Sequence, residues 1–215
     1  IVPAPTFAIR KRALAVYQLE QYVEQGIMTA QQRDVLLTAI KTRRNILVVG
    51  GTGSGKTTLV NALIDSMMEL CPHLRMFIFE DTAEIQCRAE NGVQYHTTVD
   101  VTMAQLLKIS MRMRPDRILV GEVRGPEALD LLMAWNSGHE GGIATLHANH
   151  ARAGLSKLAL YISMNQDYPK PIEPLIAEAV QVVVHITRCA EGRRVDDILE
   201  VQGYENGQYR TRSLS

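Results

Sequence analysis

Cysteine is scarce and scattered in this chain. Cys71, Cys87 and Cys189 are an odd number with no C-x-x-C pair among them, which argues against a disulfide framework and against a zinc ribbon. A reducing, cytoplasmic setting fits that usage. Long apolar runs are also missing: no stretch approaches the ~20 residues needed to span a bilayer, and no signal-peptide pattern is present. Any attachment to a membrane is therefore expected to come through partners. Charge of one sign is lacking too, because 23 basic and 23 acidic residues cancel, so no strong global field draws the protein to nucleic acid or to an anionic bilayer. Aromatics make up only 5% of the chain and are not interleaved with a basic stripe, which weighs against a single-strand nucleic-acid track. The length of 215 residues suffices for one well-buried α/β domain and a short appendage.

What the chain does have is glycine in one place. Gly50 to Thr58 read GGTGSGKTT, and Gly50, Gly55, Lys56 and Thr57 complete the phosphate-loop pattern G-x-x-x-x-G-K-S/T. The preceding RNILVVG is a short, β-branched run, as in a buried parallel strand, and TLVNALIDSMMEL after it has helical periodicity. A loop between strand and helix lets successive backbone N–H groups turn inward around a polyphosphate, at a helix end whose dipole favours an anion. Candidate nucleotide contacts are therefore Gly51, Thr52, Gly53, Ser54, Gly55, Lys56, Thr57 and Thr58, with Lys56 on the β and γ phosphates and the Thr57 hydroxyl on Mg²⁺.

Along the rest of the chain, prolines at 3 and 5 predict an extended start to about Arg12. Ala13–Ile40 is predicted to hold two helices, broken at Gly26 and with Thr29 capping the second. Core strands are expected at Met76–Phe79, Arg117–Glu122, within GGIATLHAN and at Gln181–Arg188. Helices are expected at Met103–Met113, after Pro126, and from about Ala151 to Tyr161. Asn91-Gly92 and Asn206-Gly207 each read as a hairpin turn. Strands alternating with helices imply a twisted, mainly parallel sheet covered on both faces.

Ligands in such sheets bind beyond the carboxyl ends of the strands, and three strands here end in polar residues. MFIFEDTAE delivers Glu80, Asp81 and Glu84; RILVGE delivers Glu122; GIATLHAN delivers His147. Phosphoryl transfer needs a carboxylate to position or deprotonate water, acidic groups around a hydrated Mg²⁺, and donors near the γ-phosphate. The strand ends supply each type. Where a generic phosphate-loop enzyme has a metal-shell aspartate this chain has Gly121, so Glu80 and Asp81 are the expected substitutes, through water. His139, His147 and His150 invite a metal reading, but Ile143 stands where H-E-x-x-H needs its second histidine and no cysteine is near in sequence, so a γ-phosphate sensor suits His147 better. Arg112, Arg114 and Arg124 flank the Glu122 strand as candidate phosphate or subunit-bridging groups.

Taken together, these blocks resemble the traffic ATPases of type II secretion, type IV secretion and type IV pilus machines. GGTGSGKTT resembles their Walker A motif, FIFEDTAEIQ their Asp box, MRMRPDRILVGEVRGPEA their Walker B region and SGHEGGIATLHANHARAGLSKL their His box, in that order, over about Ile9 to Arg188. The wording is most similar to the conjugal-transfer branch. The resemblance implies a RecA-like P-loop core that uses ATP and Mg²⁺, with Glu122 as catalytic glutamate, Glu80 and Glu84 as Asp-box acids, His147 as the His-box residue, and Arg10 and Arg124 near the nucleotide. It implies a hexameric ring in the cytoplasm, peripheral at the inner membrane and bound to secretion-channel proteins. It also implies that residues 1–40 are a linker and helical entry at the end of an N-terminal domain not included here, and that 41–215 form the ATPase domain. A RecA-like nucleic-acid motor is the competing expectation; a nucleotide switch without turnover would require the acidic cluster to be inert.

Overall fold

The computed structural model describes residues 4–7 and 15–215, so Arg10 and most of the proline-spaced opening lie outside the described residues. Helices α1 (Leu19–Glu24) and α2 (Ala30–Lys41) come first, separated by Gly26 at φ 69°. Thr29 starts α2 as expected: Gln32 N donates to Thr29 Oγ1 at 3.1 Å while Thr29 N donates to Gln32 Oε1 at 2.9 Å, a reciprocal cap that satisfies two otherwise orphaned donors. There follow β1 (Ile46–Val49), α3 (Lys56–Leu70), β2 (Met76–Glu80), β3 (Gly92–His96), α4 (Met103–Ser110), β4 (Arg117–Val120) and α5 (Glu127–Trp135). The chain continues through β5 (Ile143–Leu146), α6 (Ala151–Ser163), α7 (Glu173–Ala179), β6 (Val182–Cys189), β7 (Gly192–Glu205) and β8 (Gln208–Ser213).

The eight strands among the described residues form one sheet in the order β3-β2-β4-β5-β1-β6-β7-β8. From β3 to β6 neighbours are parallel, and β7 and β8 are added antiparallel. The short strands β1, β2, β4 and β5 are buried along their whole length, as required of parallel strands with helices on both faces. Alternation within β1 divides the core. Leu47 and Val49 face one apolar cluster with Trp135, Leu155 and Ile176, from α5, α6 and α7. Ile46 and Val48 face the other, with Leu59 and Leu63 of α3 and with Leu19, Leu36 and Ile40 of α1 and α2. The two entry helices thus share a core with the phosphate-loop helix.

Two local expectations need correction, and one helix is added to them. Asn91-Gly92 is not a hairpin turn: β3 runs parallel to β2, with Met76 paired to Gly92 and Glu80 to His96. A parallel neighbour requires the chain to return to the start of β2, and residues 81–91 make that crossover, which a two-residue turn cannot do. Helix α4 ends at Ser110, and α7 was not foreseen. The C-terminal hairpin is as expected, with Asn206 at φ 52° and Gly207 at φ 76° giving the two left-handed residues of a tight β-turn.

Candidate active site

The carboxyl ends of β1, β2, β4 and β5 lie at one edge of the sheet, and β5 sits between β1 and β4. After β1 the chain turns through Gly53 at φ 69° and Gly55 at φ 101° and enters α3 at Lys56. Those left-handed positions turn the loop's N–H groups inward at the positive end of the helix dipole. The Lys56 side chain is buried over the loop, its Nζ donating to Gly50 O and Gly51 O at 3.0 Å each and lying 3.2 Å from His147 Nδ1. An ammonium can only donate, so Nδ1 accepts and the neutral imidazole carries its proton on Nε2. Nε2 in turn lies 2.6 Å from Glu122 Oε1.

The other oxygen of Glu122 faces Arg124, whose Nε donates to Oε2 at 2.5 Å and whose Nη2 lies against the same oxygen. That bond raises the guanidinium's affinity for its proton further above the usual arginine range. Arg124 Nη1 is 3.6 Å from Asp81 Oδ2, and Asp81 Oδ1 accepts from Thr97 Oγ1 at 2.8 Å. One polar line therefore runs from the phosphate loop, across β5 and β4, to the edge next to β3.

Glu80 is 3% exposed and holds the loop after β2 in place, its Oε1 accepting from Glu84 N at 3.0 Å and Ile85 N at 2.8 Å. This carboxylate explains Gly121. A Cβ there would fall 2.9 Å from Glu80 Cγ, so the space of a strand-end aspartate is filled from β2. Glu80 Oε2 is buried with no hydrogen-bond donor among the described residues. Thr57 Oγ1 donates to Glu84 Oε2 at 3.3 Å, and Asn61 of α3 accepts from Gln86 N at 2.9 Å, tying the segment after β2 to the loop helix.

These groups line a cleft of about 500 Å³ that Thr52, Gly53, Gly55, Lys56, Thr57, Thr58, Glu80, Asp81, Glu84, Glu122, Arg124 and His147 share. Ser54 differs: its side chain points into the protein beneath the loop, 2.6 Å from where a Gly50 Cβ would be, which leaves only its backbone for a ligand. Arg112 and Arg114 are exposed and absent from the cleft lining. The other two histidines of the cluster have separate tasks, His139 Nδ1 at 2.8 Å from Pro115 O and His150 Nδ1 accepting from Ala153 N to start α6.

Sequence reasoning missed three residues at the cleft: Thr82, Thr145 and Arg193. Thr145 Oγ1 donates to Gly121 O at 2.6 Å and fixes the backbone beside Glu122; Thr82, two residues after Glu80, was passed over for its acidic neighbours. Arg193 comes from β7, and no local pattern marks it.

The donor set fits a triphosphate with a hydrated divalent cation. The loop offers inward amides and one ammonium, and the buried, unpaired Glu80 Oε2, from a residue that lines the same cleft as Thr57, is an acceptor suited to water around a cation.

A family model described as "Type II/IV secretion system protein" matches residues 4–213. The chain is 48% identical to the conjugal transfer protein TrbB of Rhizobium radiobacter over 212 residues, covering 98% of this chain and 65% of that protein. It is 47% identical to a probable TrbB of Sinorhizobium fredii, covering 99% of this chain and 65% of that protein, so it spans about two thirds of these curated relatives. Among solved structures, the VirB11 ATPase of the Brucella suis type IV secretion system, in complex with sulphate, superimposes with a TM-score of 0.74 at 30% identity over 89% of this chain and 65% of that one. The pilus retraction motor PilT with bound ADP shares the RecA-like fold, with a TM-score of 0.66 at 21% identity over 95% of this chain and 55% of that one. The chain belongs to the type II/IV secretion system protein family.

Proposed function

We propose that this chain is the ATP-hydrolysing core of a ring-forming traffic ATPase that powers assembly or substrate transfer in a conjugative type IV secretion system. The observation that carries the reading is the line Lys56–His147–Glu122, which couples a phosphate-binding cation to a strand-end carboxylate through one neutral imidazole. Lys56 and the loop amides hold the β and γ phosphates. Glu122 positions the attacking water and accepts its proton. When Lys56 turns to the phosphate, His147 Nδ1 loses its donor and can meet the γ-phosphate region, so Glu122 reads whether a third phosphate is present. Thr57 directly, with Glu80 and Asp81 through water, would hold Mg²⁺, which when bound neutralises charge developing on the phosphates. Glu84 orients Thr57.

Residues 41–215 are assigned to the ATPase domain and residues 1–40 to its entry segment. The whole protein is proposed to be a homo-oligomeric ring, hexameric, on the cytoplasmic side of the inner membrane and attached through channel proteins, a reading that starts from the likeness to a conjugal transfer protein and to a type IV secretion ATPase. No helix among the described residues is long and apolar enough to cross a membrane. Arg10 is retained as a nucleotide contact from the entry segment, and Arg124 as a group that reaches the nucleotide once it leaves Glu122.

The test is ATP turnover by the purified chain across a hundredfold range of protein concentration, with and without single-stranded DNA, for wild type and Glu122→Gln. The expected result is Mg²⁺-dependent hydrolysis that ignores DNA, rises in specific activity with concentration as ring contacts form, and falls ~10²-fold or more in the variant. Stimulation by DNA would transfer the chain to the nucleic-acid motors, and wild-type turnover in Glu122→Gln would remove Glu122 from the chemistry.

A further inference from the structure

We infer that Arg193, on the β6–β7 hairpin, is a nucleotide-binding residue that holds the nucleoside half of the substrate, opposite the hydrolytic end. The inference rests on the ATP reading above and extends it to a residue with no part in the phosphate loop, the acidic segments or the histidine segment.

The position follows from strand order. Glu122 and His147 leave β4 and β5, on one flank of β1, and Lys56 Nζ leans toward that flank. The terminal phosphate belongs there. On the opposite flank β6 pairs with β1, and β7 pairs with β6 with Arg188 opposite Arg193. A triphosphate that lies along the loop with its γ end at Glu122 must direct its nucleoside end toward β6 and β7.

Contact geometry supports the same placement. Arg193 Cδ and Nε lie 2.8 and 3.1 Å from where a Gly55 Cβ would be, so the side chain lies against the loop itself and lines the cleft. The adjacent Arg194 is paired with Asp196 at 2.9 Å, whereas the Arg193 guanidinium has no hydrogen-bonding or ion-pair partner among the described residues, its electrostatic neighbour being the phenol of Tyr22. Its backbone is anchored nonetheless. Two residues on, Val195 N donates to Ile27 O at 2.7 Å and Val195 O accepts from Gln32 Nε2 at 3.2 Å, fixing the strand to the α1–α2 turn and α2. A guanidinium with a fixed base, set against a phosphate loop and lacking a carboxylate partner, is built to meet the α-phosphate or the face of the attached base. Because it reads charge and a π face rather than a pattern of donors and acceptors, it discriminates little between bases.

The test is equilibrium binding of ADP, ATP and inorganic pyrophosphate to wild type and Arg193→Ala. The expected result is a loss of ~10-fold or more for ADP and ATP alike, as for a charge-assisted bond, with pyrophosphate affinity held near wild type. Retained pyrophosphate binding also shows that the loop of the variant is intact. Undiminished ADP affinity, or an equal loss for pyrophosphate, would overturn the assignment. Failure of wild type to bind either nucleotide would instead defeat the ATP reading itself.

Discussion

Replacing Gly121 by alanine tests the claim that Glu80 fills the space at the end of β4. The added Cβ would sit 2.9 Å from Glu80 Cγ and 3.4 Å from its Oε1. Neither side can yield freely. Gly121 N donates to Phe79 O at 2.8 Å and Gly121 O accepts from Thr145 Oγ1 at 2.6 Å, so the backbone is held from β2 and from β5. Glu80 is held by the amides of Glu84 and Ile85. Moving Glu80 would strand those two N–H groups, at ~1 to 3 kcal/mol apiece, whereas forcing a methyl into a packed site costs ~1 to 3 kcal/mol in all. The cheaper response governs, and the expected destabilisation is about 2 kcal/mol, or ~4 to 8 °C in Tm for a chain of this size. Urea denaturation of Gly121→Ala, Glu80→Ala and the double variant measures it. With the obstructing side chain removed, adding Gly121→Ala should cost no more than ~0.5 kcal/mol, the scatter expected of independent sites. An equal cost in both backgrounds, or a harmless single substitution, would refute the steric account.

Lys56→Ala should abolish tight nucleotide binding while circular dichroism and the cooperativity of unfolding remain those of wild type, since the ammonium bonds to loop carbonyls and to His147 just beyond β5 rather than within the sheet; calorimetric titration with ATP checks it. His147→Ala should slow hydrolysis with a much smaller change in ADP affinity, because the ring links Lys56 to Glu122 without belonging to the loop; equal losses for ADP and ATP would make its role structural. At the end of the sheet away from the cleft, hydrogen bonding from Arg44, with Gln202 and Arg212 also contributing, lowers the Glu200 carboxyl below the usual glutamate range. A lowered carboxyl stabilises the fold above its unfolded value, and that contribution is lost as pH falls through the lower folded value. The stability advantage of wild type over Glu200→Gln should therefore be present at neutral pH and shrink in acid below the ordinary value of 4.5; urea midpoints measured across that range test it. Exposure of both arginines keeps the effect small.

Much of this architecture was legible because the signals are local. The loop motif is contiguous, Thr29 and Gln32 form their cap within one turn, and Asn206-Gly207 sits between strands that are sequence neighbours. The same dipeptide chemistry misled at Asn91-Gly92 because the partner of β3 is chosen by sheet order. With β4 already on the other edge of β2, the free edge accepts a parallel strand delivered by the crossover. Arg124 shows a different limit. Its sequence position next to Glu122 was legible, but its bond to that carboxylate depends on rotamer choice and on Asp81 arriving from β2.

The least legible part of the site was its far wall, for a reason built into the fold. Insertion of β5 between β1 and β4 places one strand end, and hence one side chain, between the loop lysine and the Glu122 carboxylate. His147 fills that position and bonds to both. Motif blocks record this flank because each contributes a strand end directly. The other flank is made by an antiparallel addition, where function depends on which residue of a hairpin faces Gly55. That choice is fixed by register, by the irregularity between His185 and Ile186, and by the bond from Val195 to Ile27. A one-residue slip in β7 would turn Arg194 rather than Arg193 toward the loop, so the chemistry of this wall is specified by pairing across the sheet and becomes visible only when the strands are set side by side.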